Sequence, residues 1–167
     1  MIMNDFFEKT LEEIVFDRRN TIHERGLDIF YKNAERQVYL DGKKIDILTW
    51  EIANDVIYAR IIEFKREKVG EAALFQGLHY YSDFICATMG SFKDYHVEVI
   101  LIGTEISANV RTAMYVSNVI KAYEYSYGFD GVYFKEAGNC PLSIRELFLT
   151  TPADPDGIAF SNKLKGV

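Results

Sequence analysis

Residues 43–65 read KKIDILTWEIANDVIYARIIEFK, and the fold turns on how this stretch is divided. KKIDILTW alternates apolar and polar positions with a period of two, as a half-buried strand does. VIYARIIEFK is apolar on both sides instead. Val56, Tyr58 and Ile62 fall on one face and Ile57, Ala59 and Ile61 on the other, which predicts a central strand covered above and below. Upstream, AERQVYL (34–40) also has a period of two and joins this stretch through Asp41-Gly42, a pair suited to a type I′ hairpin turn. Read as a four-residue loop, IAND (52–55) pairs Glu51 with Val56 and sets Asp46 opposite Ile61. Glu63 is then the diagonal neighbour of Asp46, roughly 7–8 Å away.

Helices flank this meander. From Asp5 to about Arg18 the apolar positions Phe7, Leu11, Ile14 and Val15 have the spacing of an amphipathic helix, with Asn4 or Asp5 as its cap and an acidic polar face of Glu8, Glu12 and Glu13. A short helix ending near Gly26 and an extended link fill 21–33. Gly70 to about Met89 reads as a long helix with the stripe Leu74, Leu78, Tyr81 and Ile85, stopped at Gly90. HVEVILIG (96–103) is a second buried strand, 107–128 a third long helix, and DGVYF (130–134) a short last strand. The order is helix, three-strand meander, helix, strand, helix, strand. That order predicts an α/β fold whose mixed sheet carries helices on both faces, its crossover being right-handed by the general rule.

The chain's 167 residues, 49% of them apolar and 14% aromatic, are enough for one packed core. Residues 1–140 contain no proline and read as one domain, with 141–167 as an extension that either docks on it or mediates a dimer. No apolar run approaches the roughly 18 residues of a membrane span. The charged N-terminus lacks the apolar stretch of a signal peptide, so the expected location is the cytoplasm, with no membrane partner. Cys86 and Cys140 read as unpaired thiols, and three histidines without metal spacing make a zinc site improbable.

Charged residues in strand positions carry the chemistry. Glu63 and Lys65 are two apart at the end of an apolar run, so they share a face where ionised groups need partners. Alone they would pass for a strand-end ion pair. Asp46 on the preceding strand changes the reading, because two carboxylates converging on one point suit Mg²⁺, which takes only one or two protein carboxylates and keeps several waters. Lys65 then has a use beside a phosphoryl group under attack. Gln76 and Tyr80 lie one helical turn apart and can reach phosphate oxygens or water. His79 between them reads as a partly buried helix residue, and His96 as structural or exposed. Arg66 and Lys68 follow the strand, and with Lys44 they are candidates to contact a nucleic-acid backbone.

These residues, in this order and spacing, resemble the PD-(D/E)XK nuclease superfamily, in particular its RecB-like branch. The resemblance rests on the acidic first helix, Lys44-Ile45-Asp46-Ile47-Leu48, Ile61-Ile62-Glu63-Phe64-Lys65-Arg66 and Gln76-Gly77-Leu78-His79-Tyr80. It runs from about residue 8 to 103 and continues more weakly to 135. The proline of the family's name is absent, since Ile45 precedes Asp46, but no functional atom is lost with it. The resemblance implies a restriction-endonuclease-like fold, with Asp46, Glu63 and the Phe64 backbone carbonyl as metal ligands. It also implies Lys65 as the catalytic lysine, Gln76 and Tyr80 as supporting residues, and a first-helix glutamate at the metal. Glu12 fits that last role best, with Glu13 and Glu8 as rivals.

The expected activity is Mg²⁺-dependent hydrolysis of DNA phosphodiesters by a metal-activated water, with Mn²⁺ able to substitute and endonucleolytic cutting favoured. An RNA- or tRNA-cleaving enzyme of the same fold and a non-catalytic binding relic are the alternatives; a homodimer is compatible with each. The net charge of −6 argues against binding nucleic acid through bulk positive charge. Resolved along the chain the objection weakens, because residues 18–68 carry eleven bases against nine acids. Asp46 and Glu63 are two of those acids, and a cation would neutralise them.

Overall fold

The computed structural model describes residues 2–138, with side chains from Thr10 onward. The expected extension 141–167 and Cys140 lie outside the described residues, as do the side chains of Phe7 and Glu8. Helix α1 spans Ile2–Asp17, so Asn4 and Asp5, expected as its cap, lie within it. A single 3-10 turn, Ile22–Arg25, closes on Gly26. Gly26 has φ +91°, and a Cβ there would run into the backbone oxygen of Phe134, so no other residue fits.

Strands β1 (Asn33–Leu40), β2 (Lys43–Ala53) and β3 (Val56–Phe64) form the expected meander. The short strand β4 (Lys68–Val69) leads into helix α2 (Glu71–Thr88). Strand β5 (Asp94–Gly103), a short β6 (Glu105–Ile106) and helix α3 (Ala108–Val116) follow. The described chain ends with β7 (Ile120–Gly128) and β8 (Gly131–Glu136). The result is a mixed α/β fold around a six-stranded sheet of order β1-β2-β3-β5-β7-β8. Strands β3, β5 and β7 are parallel at its centre, and the remaining pairs are antiparallel. Strands β4 and β6 form a separate parallel pair that ties together the loops leaving β3 and β5.

Each face of the sheet has its own core. On one, Leu11 and Val15 of α1 pack on Ile47, Ile62, Phe64 and Ile100. On the other, α2 and α3 cover Ile57, Ile61, Val99, Leu101 and Ile120. Each of these Leu and Ile side chains, once buried, contributes about 1.5–3 kcal/mol. Helix α2 lies close to β5 because Gly77 has no side chain; a Cβ there would meet Val99 Cγ1 at 2.5 Å. Its buried face is Ala73, Leu74, Gly77, Tyr80 and Phe84. Leu78, Tyr81 and Ile85, expected in the main stripe, are only partly buried at its margin.

Two expectations fail here. The stretch 107–128 is not one helix: α3 ends at Val116, and Ile120–Gly128 is a strand between β5 and β8. The residues VIKAYEYSYG alternate, with Tyr123 and Tyr125 buried on the α1 side and Ala122 on the other, and β-branched and aromatic side chains fit a pleated surface. Ser107 starts α3 by accepting from the Val110 amide, and Ser117 Oγ accepts from the Val119 amide just beyond its end.

The β2–β3 turn is also tighter than the four-residue loop expected. Asn54 and Asp55 form it with φ of 53° and 65°, the conformation of a type I′ hairpin, and Ala53 pairs with Val56. The register therefore moves by two residues, so Leu48 and not Asp46 faces Ile61. A shift of two preserves the face of each side chain in the paired stretch Ile47–Ala53. It brings Asp46 from the diagonal of Glu63 to the position across from it.

Candidate active site

The site lies at the carboxyl end of β3, where β2 parts from it while β5 stays paired through Phe64. Pairing between β2 and β3 stops at Ile47 and Ile62, although β3 runs on to Phe64 and β2 stays paired with β1 as far as Lys43. Beyond that point the Asp46 carboxylate replaces a strand carbonyl: its Oδ2 accepts the Phe64 amide at 2.8 Å. The Asp46 side chain is thereby anchored to the strand that carries Glu63 and leads into Lys65.

Glu63 is 3% exposed. Its Oε1 meets Lys65 Nζ at 2.8 Å, which offsets the cost of burying the carboxylate. Lys65 also donates to Gln76 Oε1 at 3.1 Å. Gln76 Nε2 in turn donates to the Tyr80 hydroxyl at 2.8 Å, and Tyr80 donates to the Lys44 carbonyl at 2.9 Å. The direction of this relay is fixed, since the Gln76 amide can serve both neighbours in one orientation only. It runs from the lysine through α2 to the backbone of β2. Burial pushes the Tyr80 phenol above its ordinary pKa, the hydrogen bond from Gln76 lowers it, and the Glu63 and Asp46 carboxylates raise it further. The hydroxyl, protonated at neutral pH even at its ordinary pKa of 10.0, is a donor there.

Of the two first-helix glutamates whose side chains are described, Glu12 is the buried one. It is 3% exposed, whereas the Glu13 side chain is 45% exposed. Arg36 Nε meets one oxygen of Glu12 at 2.8 Å and Gln37 Nε2 the other at 2.6 Å, while Arg36 also reaches Glu13 at 3.2 Å. Arg36 and Gln37 were not among the expected site residues. Their signal is the run of three polar residues, Glu35-Arg36-Gln37, inside AERQVYL, where strict alternation allows no two in a row.

The expected backbone-contacting cations differ in setting. Lys44 is exposed and Arg66 half-buried, its carbonyl accepting the Tyr125 hydroxyl, while Lys68 pairs with Glu105 across β4 and β6. His79 is exposed on α2, not partly buried. His96 is exposed and stacks on Tyr58 with ring centroids 5.0 Å apart, and Cys86 is an exposed free thiol.

The carboxylates of Asp46 and Glu63 are hard oxygen donors with no thiolate or imidazole beside them, a chemistry suited to a hard divalent cation that retains waters more than to zinc. Among the described residues no group of three or more His, Cys, Asp or Glu side chains is placed to hold a metal. No helix among them is long and apolar enough to cross a membrane. Comparison of the chain with family models, with curated proteins and with solved structures finds no match.

Proposed function

We propose that this chain is a Mg²⁺-dependent nuclease of restriction-endonuclease-like fold that hydrolyses phosphodiester bonds, with DNA as its substrate. The observation that carries the reading is the convergence of Asp46, Glu63 and Lys65 where β2 parts from β3, with Lys65 oriented through Gln76 and Tyr80. A strand-end ion pair needs neither the second carboxylate nor the relay.

Asp46, Glu63 and the Phe64 carbonyl would hold the cation, which when bound supplies Lewis acidity toward a phosphoryl oxygen and lowers the pKa of water. Lys65 places its ammonium on the Glu63 side of the site, where it stabilises negative charge as it develops on the phosphoryl oxygens. Gln76 and Tyr80 hold that ammonium in one position, so little reorganisation is needed as the reaction proceeds. Lys44 and Arg66 lie on or beside segments that border the site and would meet the flanking phosphates, and Lys68 would join them only by leaving Glu105.

The test is cleavage of plasmid, linear duplex, single-stranded DNA and total RNA in Mg²⁺ and in Mn²⁺. Asp46→Ala, Glu63→Ala and Lys65→Ala should each lower the rate by about 10²–10⁴-fold. Full activity in all three variants would sink the assignment, and cleavage of RNA alone would move the substrate to the RNA class.

A further inference from the structure

Gln37 has φ of +55° in the middle of β1, and it is not a glycine, asparagine or aspartate. Such a conformation is uncommon for a residue of this kind and persists only where its surroundings enforce it. The pairing on either side is regular: Arg36 faces Ile47 and Val38 faces Ile45. The position between them, Gln37 across from Asp46, is the one gap in that ladder.

The alternation of faces breaks at the same place. Ile45 packs in the core under α2, yet Ile47, two residues on, packs in the core under α1. Residues two apart on a regular strand share a face, so the β1–β2 ribbon turns over at Asp46. One residue further, at Ile47, β2 makes its last pairing with β3. The turnover thus coincides with the point where the Asp46 carboxylate takes over the Phe64 amide.

We infer that Gln37 is a positioning residue: its left-handed backbone sets where β2 leaves β3 and so aims Asp46 at the end of β3 beside Glu63. Its side chain locks the kink by donating to Glu12 Oε2 at 2.6 Å, which ties β1 to α1. The inference rests on the reading that Asp46 and Glu63 hold a divalent cation.

Substitutions at residue 37 separate backbone from side chain. Gln37→Gly removes the amide but adopts positive φ without penalty, whereas Gln37→Ala bears the same backbone penalty as Gln37 without the Glu12 hydrogen bond that offsets it, and the β-branched Gln37→Val bears a larger one. Mn²⁺ binding by isothermal titration, with thermal melts on the same samples, provides the readout. Gln37→Gly should bind Mn²⁺ within about threefold of the unaltered chain, and Gln37→Ala and Gln37→Val about tenfold more weakly or worse, the range expected for residues that orient metal ligands. Where Gln37→Val does not melt cooperatively, Gln37→Ala, which strains the same angle less, carries the comparison. Equal affinity in the Gly and Ala variants overturns the inference. Absence of Mn²⁺ binding by the unaltered chain, or binding untouched by Asp46→Ala, overturns the metal reading and this inference with it.

Discussion

Tyr80 shows how one side chain serves both the core and the site. Its ring is buried with Ile45, Ile61 and Phe84, while its hydroxyl joins Gln76 to the Lys44 carbonyl. Tyr80→Phe keeps the ring and deletes the hydroxyl, leaving a backbone acceptor of β2 and a side-chain donor of α2 without their partner. The expected cost is about 1–3 kcal/mol of stability, read as a lower Tm. The same change frees Gln76 and hence Lys65, so kcat should fall about tenfold with KM little changed. Gln76→Ala should lower kcat similarly with a smaller loss of Tm, because Gln76 is only half-buried. A stability loss in Tyr80→Phe with kcat intact would assign the relay to folding alone. The residue scale is also where the sequence was most legible: Asp46, Glu63, Lys65, Gln76 and Tyr80 are polar groups in otherwise apolar patterns, and the structure brings them to one end of β3. The positive φ of Gln37 was not legible, because nothing in the chemistry of a glutamine announces it.

At the scale of elements, β3 and β5 were readable because strands buried on both faces are continuously apolar, a pattern few other elements share. Strand β7 was not, because AYEYSYG supports either period, and only the space between β5 and β8 selects the strand. The register of β2 on β3 depended on a turn whose two central residues both take positive φ, and Asn54-Asp55 without a glycine is a weak sign of that. The parallel centre of the sheet has an electrostatic brace of its own. Glu98 on β5 meets Arg60 Nε of β3 and Lys121 Nζ of β7, each at 2.8 Å, so one carboxylate links three adjacent strands. Burial pushes the Glu98 carboxyl upward, but the hydrogen bonds from Lys121 and Arg60 and their charges outweigh it, and its pKa lies below the ordinary 4.5. A carboxyl whose pKa is lowered by folding stabilises the folded state fully above its ordinary value, and that contribution is lost as pH falls through the lowered one. Thermal melts from neutral to acid pH should therefore show a Tm decline below pH 4.5 that is shallower in Glu98→Gln. Parallel declines in the two proteins would remove Glu98 from the acid response.

For the whole molecule, the question is how a chain of net charge −6 would hold the polyanion proposed as its substrate. Several of the cations near the site are already engaged: Arg36 with Glu12 and Glu13, Lys43 with Asp83, and Lys68 with Glu105. Each pair cancels locally, and its cation reaches phosphate only by leaving a carboxylate. That arrangement predicts few phosphate contacts and an affinity that depends on the divalent cation more than on surface charge. Binding of a short duplex by the Lys65→Ala variant in Mg²⁺, followed by fluorescence anisotropy over a range of NaCl, measures this directly. With about two phosphates neutralised, log K against log salt should have a slope near −2, well short of the roughly −5 to −9 expected for 6–10 contacts. Lys44→Ala should reduce the slope by about 0.9, the share of one phosphate, and leave cleavage chemistry at saturating substrate unchanged. Removing Mg²⁺ should weaken binding further, because the Asp46 and Glu63 carboxylates then face the scissile phosphate with no divalent cation between them. A slope steeper than about −4 would contradict this account, since it requires more phosphate contacts than the cations around β2, β3 and β4 supply.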